Sequence, residues 1–569
     1  MIYNLLIFLI ALCCILFYII WKTKKNSKHK NNLSSFEGLE ILILSATETG
    51  NARKLAENLN KALAIDGFNV QHYSVGKFTD ISILNRCKIL LFITSTYGEG
   101  EIPNEALKFY KNLKNIQNFD FSQLQYCVFG LGDSSYKFFC KAAENIDYLL
   151  RTKGAIQCIE TVKADVYYDE MFEKWKNNVM LLIKKNFQNN KNLIINKNQF
   201  ITTETLSESK ILDKICLSSN PNHITYSISL EIDKDTLNYL PGDVISIVPE
   251  NDIQLVHEIL SYLTIDEKEI IIYKNSQITI LDALKYHFEI SICTVNFIKK
   301  YAEKANNISL IQDLKLENTW LQEITKFCIA DFIIKYPVNT KIKAQDLITI
   351  LTPLSPRKYS ISSSQSINPD RLDITLKIVQ YNSNGKLRRG AISNYLNNVK
   401  VGDSIKISHI PTDRFQLPKD FNIPIIMIGT GTGIAPFRAF LQQRKYDWAK
   451  GKNWLLYGHQ FSHSDFLYKD EINEYLNSGL LSRLDTAWSR DQESKVYVQD
   501  ILLKNSKEIY SWITKGAIIY VCGNAKKMAI GVDQALIKII SKERHFDLIQ
   551  AREFINHLIE TKHYQKDIY

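Results

Sequence analysis

The ten cysteines include no C-x-x-C pair, and two of them, Cys13 and Cys14, sit side by side in an apolar run. That usage excludes a zinc ribbon and a disulfide-stapled scaffold, and it fits a cytosolic redox setting. Seventy Lys and Arg against sixty Asp and Glu leave +10, and Lys22, Lys24, Lys25, Lys28 and Lys30 share one short stretch while the remainder is nearly balanced. A nucleic-acid binder gathers its excess on one surface, so this pattern argues against nucleic acid as partner. No internal repeat of short period is present. With 569 residues, 45% hydrophobic and 23% charged, the chain is too apolar for disorder and too long for one core. It predicts three or four globular units.

Residues 2–21 are apolar apart from Asn4. About 20 helical residues rising ~1.5 Å each cross about 30 Å of hydrocarbon. There is no basic stretch before the run and no small-x-small cleavage site after it, which disfavours a secretory signal. The lysines that follow belong on the cytoplasmic side of such a span. The expectation is a single-pass membrane anchor over 1–21, in contact with lipid, and a basic tether over 22–37. The catalytic part would then be cytoplasmic.

From 38 to 185 short apolar runs (Leu39–Leu44, Ile89–Ile93, Tyr126–Phe129) alternate with amphipathic segments. Between the first two runs, Ala52, Leu55, Ala56, Leu59 and Leu63 keep helical spacing. This predicts an α/β, doubly wound parallel sheet. An Asn/Lys-rich stretch follows, with 186–200 expected as linker. Strand-rich segments with turn chemistry at Pro241-Gly242-Asp243 and Asn382-Ser383-Asn384-Gly385 fall within 201–418, around a more helical insertion at about 251–345. Strand–helix alternation returns over 419–569.

Three loops follow predicted strands in the first unit. Ser45, Thr47, Glu48, Thr49, Gly50, Asn51 and Ala52 put hydroxyls and backbone N–H groups at a helix start, where a phosphate is favoured. No lysine follows the glycine, so this is not a nucleotide triphosphate loop. Taken alone, it also reads as an ordinary capped helix. The second loop is Ser95, Thr96, Tyr97, Gly98, Glu99 and Gly100; the third is Leu131, Gly132, Asp133, Ser134, Ser135 and Tyr136. All three converge on one crevice at the carboxyl ends of the strands. Tyr97 and Tyr136 can flank a flat ring there, one on each face.

Loops of this kind in this order resemble a flavodoxin-type FMN domain. The rest resembles the FAD- and NADPH-binding module of the ferredoxin-NADP reductase type: an antiparallel β-barrel with a helical insertion, then a Rossmann-like domain. Together they resemble the diflavin reductases, the sulfite reductase flavoprotein and NADPH–cytochrome P-450 reductase, across residues 38–569. The resemblance adds Phe139, Cys140 and Asp165 to the FMN site. It assigns Arg357, Lys358, Tyr359 and Ser360 to the FAD pyrophosphate and ring, together with Thr375, Leu376, Lys377 and Tyr381. Gly390, Ala391, Ile392 and Ser393 become a second FAD phosphate loop.

The glycine-rich turn around Gly431 and Thr432, followed by Ala-Pro-Phe-Arg, resembles the NADP pyrophosphate loop. Ser489, Arg490, Lys495, Tyr497 and Gln499 match the clamp on the adenosine 2′-phosphate that selects NADPH. Ser360, Cys522 and Asp567 would form the hydride-transfer constellation, and Tyr569 would stack on FAD. Two positions depart from the family pattern, Asn524 and Gly531, where Asp is usual.

The resemblance implies electron flow from NADPH to FAD to FMN and on to a one-electron haem acceptor, with no metal of its own. Glu99, Glu101, Asp165, Asp169 and Glu170 offer an acidic face to such a partner, or an ordinary solvated surface. With the expected anchor, the leading reading is a membrane-held NADPH:haemoprotein reductase. The alternative is the flavoprotein component of an NADPH-dependent sulfite reductase, partnered by a sirohaem subunit. A non-catalytic flavin-binding scaffold at the membrane is a third reading.

Overall fold

The computed structural model describes residues 40–48, 50–78, 81–96, 100–116, 120–133, 138–165, 168–187, 206–274, 276–315, 327–412 and 414–568. The expected anchor over 2–21 and the tether lie outside them, as do residues 188–200 of the linker. So do Thr49, Tyr97, Gly98, Glu99, Ser134, Ser135, Tyr136 and Tyr569. Among the described residues, no helix is long and apolar enough to cross a membrane. The chain divides into two compact units, 1–197 and 198–569.

In the first unit, β1 (Ile41–Ala46), β2 (Val70–Ser74), β3 (Ile89–Ser95), β4 (Gln125–Leu131) and β5 (Ile156–Ala164) form one parallel sheet in the order β2-β1-β3-β4-β5. The continuous apolar runs have a direct cause. Successive side chains point to opposite faces, and both faces are covered. Leu42 and Leu44 enter one core with Leu90 and Phe92, while Ile41 and Ile43 enter the other with Leu91 and Ile93. The helix Asn51–Ile65 buries Ala52, Leu55, Ala56, Leu59 and Leu63, the stripe read from the sequence. The closing helix, Asp169–Phe187, runs into the expected linker because Trp175, Val179 and Ile183 keep burying one face.

The second unit opens with a six-stranded antiparallel sheet. Its order is Arg357–Ser360, Val244–Ile247, Ser404–Ile410, Ser207–Cys216, Thr225–Glu231 and Arg371–Lys377. A bridge between Ile361 and Ile374 joins its two edges, so the sheet closes as a barrel. Gly242 takes φ +103° with its α-carbon pressed against the Phe415 carbonyl; a Cβ would stand 1.7 Å from that oxygen. Asn384 and Gly385, both with positive φ, turn the hairpin Gln380–Ser383 to Lys386–Arg389, as two-residue hairpin turns require.

Helices between Ile253 and Ile350 pack around their own core, which includes Leu260, Leu284, Phe297, Tyr301 and Phe332. Arg388 ties the hairpin to these helices through Asp331 (2.7 Å) and Glu258 (2.6 Å). Asp331 is fully buried, so removing Arg388 would strand a charge at a cost of about 3–5 kcal/mol.

The last sheet is parallel, in the order Arg483–Trp488, Asn453–His459, Ile425–Thr430, Ile518–Gly523, Tyr564–Ile568. The chain reverses direction across the sheet at Ile425–Thr430, and in open α/β sheets the crevice at such a switch point is where ligands bind.

Candidate active site

The FMN-type loops follow β1, β3, β4 and β5, which are adjacent in the sheet, so their carboxyl ends open on one crevice. After β1, Gly50 sits in the left-handed region (φ 88°) as N-cap of the first helix. Its N–H donates to Thr47 Oγ1 at 2.9 Å. The first helical turn holds no acidic residue and its cap makes no side-chain hydrogen bond, so this helix end favours an anion. Ser45 and Ala52 face inward: Ser45 Oγ meets His72 Nε2 at 2.9 Å, and Ala52 is core.

The other loops are braced against neighbours. Thr96 Oγ1 accepts the Ala142 N–H (3.2 Å), and the Gly132 N–H donates to the Ala164 carbonyl (2.9 Å). A Cβ on Gly132 would lie 2.8 Å from both the backbone nitrogen and Sγ of Cys140, so this loop depends on glycine. Cys140 is buried beneath it, and burial pushes its thiol up to about 12. Cys140 therefore packs and does not react. Gly100, Phe139 and Asp165 lie half-buried around the crevice. This is a cradle of amides and hydroxyls suited to a phosphate, placed where the strand order reverses.

On the barrel, Arg357 is partly exposed and lies 3.6 Å from the buried Glu289 carboxylate. Glu289 Oε1 in turn accepts both the N–H (2.8 Å) and hydroxyl (2.5 Å) of Ser291. Ser291 Oγ accepts the Ala391 N–H at 3.2 Å, and its carbonyl accepts the Tyr381 hydroxyl. One buried chain of bonds thus aligns Arg357, Tyr381 and the loop at Gly390. Open space surrounds the Gly390 α-carbon on its Cβ side, which fits a phosphate against backbone N–H groups.

Not every residue expected to touch FAD is free to do so through its side chain. Leu376 points into the barrel core, Ser393 Oγ accepts the Val379 N–H (3.0 Å), and Thr375 Oγ1 bonds Tyr468 OH (2.6 Å). Ala391 is buried; Lys358 and Lys377 are exposed. Ile392 and Tyr359 pack partly into the barrel core.

The three residues expected at the hydride site meet. Cys522 and Asp567 are register partners on adjacent parallel strands, and Cys522 Sγ lies 3.7 Å from Asp567 Oδ2. Ser360 Oγ, at the end of a barrel strand, donates to the same oxygen at 2.5 Å. Burial pushes the Cys522 thiol well above its ordinary value and also raises the Asp567 carboxyl. Ser360 and Asp567 come from different domains, and further bonds fix the distance between them. Arg438 binds the Ser362 carbonyl (2.8 Å) and Asp373 (2.9 Å), and the Gln416 N–H donates to Gln565 Oε1 (3.0 Å).

Beside this constellation, Gly431 (φ 55°) and Thr432 lie in the turn leading into the helix Ala435–Tyr446. Gly433 rests on the Cys522 carbonyl, so the pyrophosphate-type loop and the hydride-site strand are packed as one piece. The Ser489 and Arg490 N–H groups donate to the carbonyls of His459 and Gln460, both at 2.9 Å. Those bonds leave the Arg490, Lys495 and Tyr497 side chains exposed on one loop, a set suited to a 2′-phosphate.

The two departures have local explanations. Asn524 Oδ1 accepts the Lys527 N–H (3.0 Å) and so starts the following helical turn. At Gly531 a Cβ would meet the Gln499 amide at 3.0 Å, so Gln499 occupies the space of a side chain there.

Several supports carry no mark in the sequence motifs. Glu105 anchors the phosphate loop, Tyr468 holds Thr375, and Arg438 links two domains. The Ala-Pro-Phe-Arg run points at Arg438, but nothing local marks Glu105 or Tyr468. His223 and His459 both face the buried Asp465 (3.5 and 3.2 Å), which also accepts the Phe461 N–H. This cluster joins a barrel loop to the last domain.

Comparison with known proteins agrees with this layout. Residues 43–175 match the flavodoxin family, 202–395 the FAD binding domain, and 427–534 the oxidoreductase NAD-binding domain. The chain is 39% identical to the sulfite reductase [NADPH] flavoprotein alpha-component of Buchnera aphidicola subsp. Acyrthosiphon pisum, covering 96% of this chain and 93% of that one. It is 38% identical to the protein of that name from Blochmanniella floridana, over 93% and 89% of the two chains. With the Mannheimia succiniciproducens protein of that name identity is 34%, over 96% and 93%. Three cofactor domains in this order, matched nearly end to end, carry FMN, FAD and NADPH: the chain belongs to the NADPH-dependent diflavin reductase family.

Proposed function

We propose that this diflavin reductase is the flavoprotein component of an NADPH-dependent sulfite reductase and hands electrons to a separate haem-containing component. The observation that carries this reading is similarity at 34–39% identity to sulfite reductase flavoprotein alpha-components along nearly the whole of both chains. The rival, a membrane-held reductase of another haemoprotein, rests on residues 2–21 alone. Anchoring itself is a separate proposal: if 2–21 span a membrane, the chain stays in the pellet after alkaline extraction.

When bound, the flavins supply hydride acceptance and one-electron transfer. The chain supplies the geometry. Ser360 Oγ–H is held on Asp567, and the buried Cys522 closes the floor beneath both. Gly431 and Gly433 let the backbone approach a pyrophosphate, and the Arg490 guanidinium can meet a 2′-phosphate. The barrel and the NADP-type domain are held together beside this site through Arg438 and Gln416. Such preorganised dipoles act on charge as it develops.

The test is co-purification of the tagged full chain from its native source, followed by a visible spectrum before and after NADPH. A sirohaem-type band, with sulfide formed from sulfite, supports the proposal. A different haem band that shifts with NADPH, and no sulfide, overturns it in favour of the rival.

A further inference from the structure

We propose that Glu105 is the positioning residue of the FMN phosphate loop. It lies in a short helical turn after the β3 loop, far from the loop it serves in sequence. One carboxylate reaches three elements. Oε1 accepts the Thr47 N–H at 2.7 Å, and Oε2 accepts the Ser74 hydroxyl at 2.6 Å and Arg53 NH2 at 3.0 Å. The loop, the end of β2 and the first turn of the following helix are thereby pinned to a single point. Close approach depends on Gly76, where a Cβ would stand 3.2 Å from Glu105 Cβ.

The consequence runs through Thr47. Its N–H is spent on Glu105, so the peptide cannot rotate, and Thr47 Oγ1 is left to receive the Gly50 N–H. Gly50 in turn holds the left-handed turn that aims the helix N-terminus into the crevice. Glu105 therefore sets the direction of the phosphate-binding amides although it cannot itself bind an anion. Its pairing with Arg53 offsets the repulsion a second anion would feel.

A rival role for the same carboxylate is to mask the charge of Arg53, whose Nε is buried without a hydrogen-bond partner among the described residues. The two roles predict opposite signs. If Glu105 only masks, its removal frees a cation and FMN binds more tightly, with a new salt dependence. If Glu105 positions, its removal loosens FMN at every salt concentration.

The experiment is FMN release from the full chain, followed by the fluorescence of free FMN on serial dilution at low and high salt. Glu105→Ala is expected to raise the FMN dissociation constant about tenfold, the usual consequence of losing a hydrogen bond to a charged group. The ratio to the unmodified chain should be the same at both salt concentrations. Glu105→Gln keeps an oxygen for the Thr47 N–H and is expected to recover most of the affinity, within about threefold. Retained FAD shows that the second unit is intact. If Glu105→Ala does not fold, Glu105→Gln decides alone, because it removes the charge and keeps the acceptor: affinity within about threefold at both salt concentrations supports positioning. Tighter, salt-dependent binding in the Ala or the Gln variant, or equal losses of affinity in the two, overturns the proposal.

Discussion

Cys522 and Asp567 face each other across neighbouring parallel strands, with Sγ 3.7 Å from Oδ2, and that carboxylate oxygen also takes the Ser360 hydroxyl. Three residues from distant parts of the chain therefore meet at one carboxylate oxygen. Ser360→Ala should lower the rate of NADPH-driven flavin bleaching about 10²-fold, as for loss of a preorganised dipole, with NADPH affinity nearly unchanged. Stopped-flow absorbance separates the two. A parallel loss of binding would make Ser360 a structural residue instead.

Arg490 projects from a loop whose own N–H groups are spent on His459 and Gln460. Its guanidinium is exposed, and the expectation is that it discriminates for a 2′-phosphate. Arg490→Ala should raise KM for NADPH by about tenfold or more, while NADH turnover changes little. Steady-state kinetics with both nucleotides decide it, and equal losses would remove Arg490 from that role.

Gly433 rests against the Cys522 carbonyl, where a Cβ would lie 2.2 Å away. Both contacts are backbone, so neither side can yield cheaply. Gly433→Ala should cost about 1–3 kcal/mol of stability, the range for overpacking, and displace Cys522 from Asp567. Thermal unfolding and the bleaching rate should fall together; an unchanged melting temperature would show that the loop yields freely.

His72 is held near a pKa of about 4, against an ordinary 6.5, chiefly by burial and then by Arg53. Between those values the unfolded chain binds more protons than the folded one. Stability of the flavodoxin-like unit is thus full above pH 6.5 and declines as pH falls toward about 4. His72→Gln should flatten that decline. FMN retention against pH, compared between the two proteins, measures it.

The sheet cores are legible in the sequence because strands covered on both faces must be apolar at every position. Leu42 and Ile43 feed opposite cores, and both have to be hydrophobic. The turns at Gly242 and at Asn384-Gly385 are legible for a similar reason, since few residues accept positive φ. The first helix follows from five apolar positions at one spacing, and the FMN, FAD and NADPH loops follow from short motifs at strand ends.

Hidden from local sequence is any role defined by a partner far along the chain. Glu105 has no local signature because its three partners are 31 to 58 residues away. Thr375 and Ser393 read as FAD contacts from the sequence, but that their hydroxyls also bond Tyr468 and the Val379 N–H is seen only in the fold. Gly531 looks like a missing acid, but Gln499 fills the space beside it. Local sequence thus determined which segments became strands, helices and phosphate-type loops, because backbone preference and periodicity act over a few residues. Tertiary structure alone decided which hydroxyls and carboxylates were free for chemistry, because hydrogen bonding and burial are settled only when distant strands such as Ile518–Gly523 and Tyr564–Ile568 come together.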